Sequence, residues 1–256
     1  MRNVLGPSLA AIVVACCFVA CSRSGHDALS NASTIPPDAA EISALRISAE
    51  AEFTGNILPF WMKNAPDSAN GGFHGFVGDD LKPDPAAERG ALLDTRILWT
   101  FSGAYLTTGR RVYLDMAARA YSDLQSRFFD AKSGGYFWAA RPDGTISDPR
   151  KMLYVQAFAI YALSQYHRAT GDRDALKNAI DLYRLVEEKC RDRVNGGYFE
   201  EFDSQWNPIA ARAPGDSPLG ATDQKSQNVH LHMMEAYTGL YRIWPDRTLA
   251  ADLAAL

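Results

Sequence analysis

Asn228, His232 and Glu235 stand at i, i+4 and i+7, so a helix that carries them presents all three on one face. On that face a glutamate can orient an imidazole, and an oriented imidazole can take up or give a proton near neutral pH. The competing reading of His232 is a core histidine with its ring nitrogens satisfied. His230 is two residues from His232 and faces elsewhere, which argues against a His-x-His metal chelate on this helix. Arg96 lies among Leu93, Ile97 and Trp99, in the middle of an apolar helical pattern. An arginine there needs a partner, and two are open to it: a reacting oxygen of a bound molecule, or a structural carboxylate. Glu200, Glu201 and Asp203 offer paired carboxylates of the kind a glycoside hydrolase uses, although solvated loop acids are the commoner meaning of such a cluster. His74 and His167 read as surface residues.

The elements that carry these groups repeat along the chain. Asn70-Gly71-Gly72-Phe73, Ser133-Gly134-Gly135-Tyr136 and Asn195-Gly196-Gly197-Tyr198 are one turn used three times, 63 and then 62 residues apart. Thr108-Gly109-Arg110-Arg111 returns 62 residues later as Thr170-Gly171-Asp172-Arg173. Two markers at one spacing define a repeated supersecondary unit. Each unit is a helical hairpin. Leu92, Leu93, Ile97, Leu98, Phe101 and Tyr105 recur at helical spacing up to Gly109, and Met116, Ala120, Leu124 and Phe128 share a face of a second helix over 115–129. The Gly-Gly-aromatic turn and a short hairpin-like stretch from Tyr136 to Gly144 follow. The next unit places helices over 151–169 and 173–192, and a third opens with a helix over 224–244. With a helix over about 40–63, the count is six full helices and a partner stub from Asp246.

Helix pairs repeated about a centre predict an all-α toroid, with inner helices lining a core and long loops gathered at one rim. An open solenoid is the alternative, but it ordinarily has shorter repeats and no aromatic loops. The rim loops hold Phe73, Phe76, Tyr136, Phe137, Trp138, Phe199, Phe202 and Trp206. Rings beside charged groups suit sugars, whose C–H faces stack and whose hydroxyls hydrogen-bond. For most of these rings, packing the loops onto the helices is the competing meaning.

Five segments carry a resemblance. Ile57-Leu58-Pro59-Phe60-Trp61, Gly71-Gly72-Phe73-His74-Gly75-Phe76, Thr95-Arg96-Ile97-Leu98-Trp99, the run Tyr154–Leu163 and the run Asn228–Thr238 resemble, in order and spacing, the cellobiose 2-epimerases of the N-acylglucosamine 2-epimerase family. The resemblance implies an (α/α)6 barrel that acts on the reducing-end sugar of a disaccharide or on a monosaccharide. The proton at C2 is removed beside the C1 carbonyl, and the enediolate is reprotonated on its other face. It implies no cofactor and no metal, because the carbonyl itself acidifies the C–H bond. Arg96 matches the arginine that contacts the reacting oxygens, and Tyr154, Asn228 and His232 match residues lining the same pocket. The two histidines that the family credits with proton transfer lie in later repeats and have no match among the five of this chain. The expectation is therefore about half a barrel, inactive as an epimerase. A non-catalytic sugar-binding lipoprotein fragment and a hydrolase on the same toroid are the other readings.

The rest of the chain bears on location. The composition is that of an ordinary globular protein, with 256 residues, 47% hydrophobic and 22% charged. A net charge of −4 without a long basic run points away from nucleic acid. Residues 1–21 read as a signal peptide: one basic residue, Arg2, and an apolar core of about a dozen residues, short for a membrane span. It ends Phe18-Val19-Ala20-Cys21-Ser22, which resembles a bacterial lipobox with Phe18 where leucine is usual. Ordinary signal cleavage and a plain N-terminal anchor are the alternatives. Residues 22–37 read as a flexible tether and 38–256 as the barrel domain, so a lipid on Cys21 would be the sole membrane contact of an exported protein, periplasmic or held at the outer membrane. Cys16 and Cys17 also lie in the leader, which leaves Cys190 alone in the domain as a small buried hydrophobe. If Cys21 carries lipid, the wild-type protein partitions into detergent while Cys21→Ser yields a soluble or uncleaved form. Identical fractionation of the two excludes the lipid anchor.

Overall fold

The computed structural model describes residues 38–209 and 225–256; Cys16, Cys17, Cys21 and His26 lie outside the described residues. By internal contacts the chain divides into Met1–Ser48 and Ala49–Leu256. Of the first unit, only the beginning of α1 (Ala39–Glu52) is described, with the Asp38 carboxylate accepting the Glu41 N–H at 2.7 Å. A π-helical turn (Phe53–Ile57) and α2 (Leu58–Asn64) come next in sequence.

Three helical hairpins form the rest: α3 (Ala91–Thr108) with α4 (Arg111–Asp123), α5 (Leu153–Thr170) with α6 (Arg173–Lys189), and α7 (Gln227–Tyr241) with α8 (Arg247–Ala255). α3, α5 and α7 lie side by side as an inner layer, and each is backed by its own hairpin partner. The sequence explains the layering. α5 is flanked by two inner helices and backed by a third, and it buries 11 side chains in 18 residues. α6 has a single apolar stripe of Ala175, Ala179, Leu182, Tyr183 and Val186, as a helix with one solvent face requires. The ends are chemically marked. Gly109 (φ +69°) and Gly171 (φ +73°) close α3 and α5 in the left-handed conformation, donating to the Tyr105 and His167 carbonyls. Asp172, Ser226 and Asp246 cap α6, α7 and α8 with side-chain oxygens.

The helix expected over 115–129 begins four residues earlier, at Arg111, and ends in a π-helical turn, Leu124–Phe128, that buries both Leu124 and Phe128. Small antiparallel pairings gather the loops. β1 (Arg89–Gly90), β2 (Ala139–Ala140) and β3 (Ile146–Asp148) make one sheet, and β4 (Lys151–Met152) pairs with β5 (Glu201–Phe202). Cys190 is buried, as expected. His74 and His167 are not surface groups: His74 is half-buried 3.8 Å from Asp67, and His167 Nδ1 bonds the Asp172 carbonyl at 2.7 Å.

Each Gly-Gly turn is locked to the start of the next inner helix by the same device. An aspartate opens the turn, and its Oδ1 accepts two N–H groups of the turn itself: those of Ala69 and Asn70 for Asp67, Lys132 and Ser133 for Asp130, and Val194 and Asn195 for Asp192. Oδ2 pairs with a cation two residues before an inner helix: Arg89, Lys151 or Lys225. The same cation donates to the carbonyl of the first glycine, Gly71, Gly134 or Gly196. Lys151 is fully buried and bonds Asp130 at 2.8 Å, with its ammonium over the Phe137 and Trp206 rings. Burial pulls the Lys151 ammonium below its ordinary range, and Asp130 counteracts this. Burial would raise the Asp130 carboxyl, but Lys151 and the turn N–H groups outweigh it and hold it low.

Both glycines of each turn have positive φ, and the second has no room for a side chain: a Cβ on Gly135 would stand 2.5 Å from the Trp206 ring and 3.0 Å from Gln156 Oε1. Gly171 shares the conformation, with φ +73° and nothing within 4 Å of its Cβ position. Gly171→Ala should cost about 1–2 kcal/mol of unfolding free energy from backbone strain alone, and Gly135→Ala about 3–5 kcal/mol. Chemical denaturation checks this, and equal costs would contradict the collision. Asp130→Ala leaves a buried ammonium unpaired and should also cost about 3–5 kcal/mol.

Candidate functional site

Because the three inner helices start in register behind the three clamps, equivalent positions face one another. The second residues are Leu92, Tyr154 and Asn228, the sixth are Arg96, Phe158 and His232, and the ninth are Trp99, Tyr161 and Glu235. Side chains from these tiers touch across the helices. Arg96 Nη2 donates to the Tyr154 hydroxyl at 3.2 Å, and its guanidinium carbon lies 4.9 Å from the centre of the Phe158 ring. The His232 ring stands 4.7 Å from Phe158 and 4.9 Å, edge-on, from Tyr154. His232 Nδ1 and Glu235 Oε2 are 2.9 Å apart. An ionised carboxylate only accepts, so Nδ1 carries the hydrogen and Nε2 keeps the lone pair. One turn further along, Trp99 and Tyr161 stack with centroids 4.9 Å apart, beside Gly239, where a Cβ would come within 3.3 Å of the Tyr161 ring.

The structure thus brings Arg96, Tyr154, His232 and Glu235 into one contact network. Asn228 stands exposed one turn before His232 on the same helix and makes no hydrogen bond to the others. Cys21 lies outside the described residues. Among the described residues no carboxylate pairs with Arg96, and its buried Nε has no acceptor. Arg96 stands near an imidazole–carboxylate pair, an arrangement able to hold a developing oxyanion and move a proton. Among the described residues no three His, Cys, Asp or Glu side chains converge as a metal cage.

His230 faces away, as its spacing requires. Its Nδ1 donates to the Ser226 carbonyl at 2.7 Å and its Nε2 accepts the Tyr198 N–H at 3.0 Å, so both nitrogens are occupied. Gln156 holds the equivalent place in α5, bonding both the N–H and the carbonyl of Tyr136. The third member of this set is Asp94, whose fully buried carboxyl is pushed well up, first by burial and then by the charge of neighbouring Asp123. Gln156 and His230 thus support their Gly-Gly turns from behind, whereas Asp123 of α4 stands behind Gly72. The rim rings divide in the same sense: Phe73, Tyr136, Phe202 and Trp206 are buried packing groups, and Phe76 is exposed.

Of the three loop acids, Glu200 is not solvated, contrary to expectation. Glu200 is buried and accepts the Ser226 N–H that opens α7, and burial pushes its carboxyl up. Asp203 holds its own loop through the Gln205 and Asn207 N–H groups at 2.8 and 2.9 Å. Both carboxylates are committed to backbone N–H groups, unlike a free hydrolase pair. A cleft of about 300 Å³ beside α6 and α8 is lined by Glu187 and Asp252, but their oxygens are taken by Tyr198, Tyr237, Arg191 and Tyr183. Phe158, Trp99 and Tyr161 were not singled out from the sequence. The signal that could have found them is the register, since Phe158 falls 62 residues after Arg96, at the repeat spacing.

Known proteins are similar to this chain in sequence and fold. The cellobiose 2-epimerase of Bacteroides fragilis is 41% identical over 209 residues, covering 82% of this chain and 53% of that protein. The solved cellobiose 2-epimerase of Spirochaeta thermophila superposes with a TM-score of 0.78 at 37% identity, over 86% of this chain and 54% of that one. A solved D-mannose isomerase superposes with a TM-score of 0.68 at 26% identity, over 82% of this chain and 50% of that one. The chain spans about half the length of the curated relatives it matches. The fold is that of the (α/α)6 barrel, seen here as three successive hairpins. With the N-acylglucosamine 2-epimerase model matching residues 71–251, a span that holds the second and third clamps and the Arg96–His232 network, the chain belongs to the N-acylglucosamine 2-epimerase family.

Proposed function

We propose that the Arg96–Tyr154–His232–Glu235 network binds the reducing-end sugar of a disaccharide, or a monosaccharide, in its open-chain form and serves 2-epimerisation. The observation that carries this is a half-buried guanidinium without a carboxylate among the described residues, next to an imidazole that a carboxylate orients. In this reading Arg96 holds the C1 and C2 oxygens as the C2 proton leaves and negative charge spreads over the enediolate. His232 Nε2 exchanges a proton with the substrate while Glu235 fixes the tautomer and steadies the charged ring. The Tyr154 hydroxyl, already accepting from Arg96, has its own hydrogen free to donate to a sugar oxygen. Asn228, at the rim end of the same face, is placed to bond a sugar hydroxyl. Similarity to epimerases and to a mannose isomerase, which both work beside a sugar carbonyl, supports the same chemistry.

Inversion at C2 requires proton transfer on both faces, and the described residues supply one imidazole–carboxylate pair at the site. That observation favours a second reading, in which this polypeptide binds sugar without turning it over. In either reading the location is that of an exported protein tethered through Cys21. Cellobiose titrated into the 256-residue protein should bind saturably, and Arg96→Ala should weaken binding about tenfold or more, the loss expected for a charged hydrogen-bonding group. Near-normal affinity in Arg96→Ala would sink the proposed site. In heavy water no epimer should form; an epimer carrying deuterium at C2 would show that this chain supplies both proton-transfer groups.

A further inference from the structure

Between Arg96 and His232 stands Phe158, to which the proposed chemistry gives no task. Its half-buried ring takes three contacts: the Arg96 guanidinium at 4.9 Å, the His232 ring at 4.7 Å and the Tyr154 ring at 5.0 Å. A half-buried guanidinium is ordinarily held by a carboxylate, which fixes its place, cancels its charge and occupies its N–H groups in pairs. Among the described residues Arg96 has no such partner; one nitrogen donates to a neutral hydroxyl, and Nε is buried without an acceptor. What remains to fix the cation is the face of Phe158. A π face attracts the guanidinium through the ring quadrupole and leaves its in-plane N–H groups open. The same ring backs His232, whose other anchor is Glu235.

We infer that Phe158 is a positioning residue: it holds the Arg96 guanidinium in place without neutralising it and sets its separation from His232. The register gives this a geometric basis. Arg96, Phe158 and His232 are the sixth residues of three adjacent inner helices, so the middle helix supplies a spacer where its neighbours supply the cation and the imidazole. A leucine or methionine there would fill similar space but offer no π face. A tyrosine would keep the face. The consequence for sugar binding rests on the proposed function, whereas the restraint on Arg96 does not.

Two measurements separate these. The first is the exchange of the Arg96 Nε–H proton with water, read by NMR and assigned by its loss in Arg96→Lys. It should be slow in the wild type and in Phe158→Tyr, and faster by about tenfold in Phe158→Leu, the range a cation–π contact spans. Unchanged exchange in a folded Phe158→Leu overturns the inference, and Phe158→Met takes its place if the leucine variant does not fold. The second is a double-mutant cycle on cellobiose affinity. Phe158→Leu should lose about tenfold, Arg96→Ala should add little in that background, and Phe158→Tyr should stay near wild type. Additive losses would mean that Phe158 acts only through packing, and would overturn the inference. A wild type that binds no sugar refutes the proposed function instead, and the exchange measurement then decides the role of Phe158 by itself.

Discussion

The pairing of an aspartate with a lysine or arginine, made three times and buried in the first two, is the constraint on which the rest of the structure depends. Taking an ammonium such as that of Lys151 out of water is costly, and the cost is offset only if charge and hydrogen bonds are met together. Asp130 meets both, with one oxygen on its own turn and the other on Lys151, which also bonds the Gly134 carbonyl. Because the aspartate belongs to the turn and the cation to the approach of the next inner helix, the pair fixes the loop and the helix start in one step. The Gly-Gly conformation follows from this, since the second glycine lies against the residues that support the turn: Gln156 behind Gly135 and His230 behind Gly197.

From that constraint the site follows by register. The clamping cation stands seven residues before the sixth position of each inner helix, as Arg89, Lys151 and Lys225 do before Arg96, Phe158 and His232. The three helices therefore offer one cation, one ring and one imidazole at the same level, with Tyr154 one turn above and Glu235 one turn below. The repeat works as a scaffold that holds position constant while residue type varies. At the fourth positions, glutamine in α5 and histidine in α7 support the turns. At the sixth, the variation supplies the groups of the proposed site.

Much of this was legible in the sequence, for physical reasons. The turn spacing revealed the hairpins because a positive-φ glycine pair and an αL helix cap are hard to replace. The shared face of His232 and Glu235 followed from helical geometry alone and is observed at 2.9 Å. Three things were not legible. The aspartate clamps join residues 21 to 33 positions apart, and nothing local in Asp130 or Lys151 announces a buried pair. Glu200 reads as a solvated loop acid because its burial depends on where α7 begins. Phe158 reads as one more core aromatic, since only the assembled register shows that it stands between two groups with chemistry to do.

The central claim is that Arg96 and His232 jointly meet the oxygens at the reacting end of a sugar. A crystal structure with cellobiitol, the open-chain reduced form of cellobiose, tests it most directly. The account predicts the C1 and C2 hydroxyl oxygens within hydrogen-bond distance of the Arg96 guanidinium and His232 Nε2, with the second sugar unit toward the rim. Cellobiitol bound with these oxygens away from both side chains, or seated instead in the cleft beside α6 and α8, would contradict it.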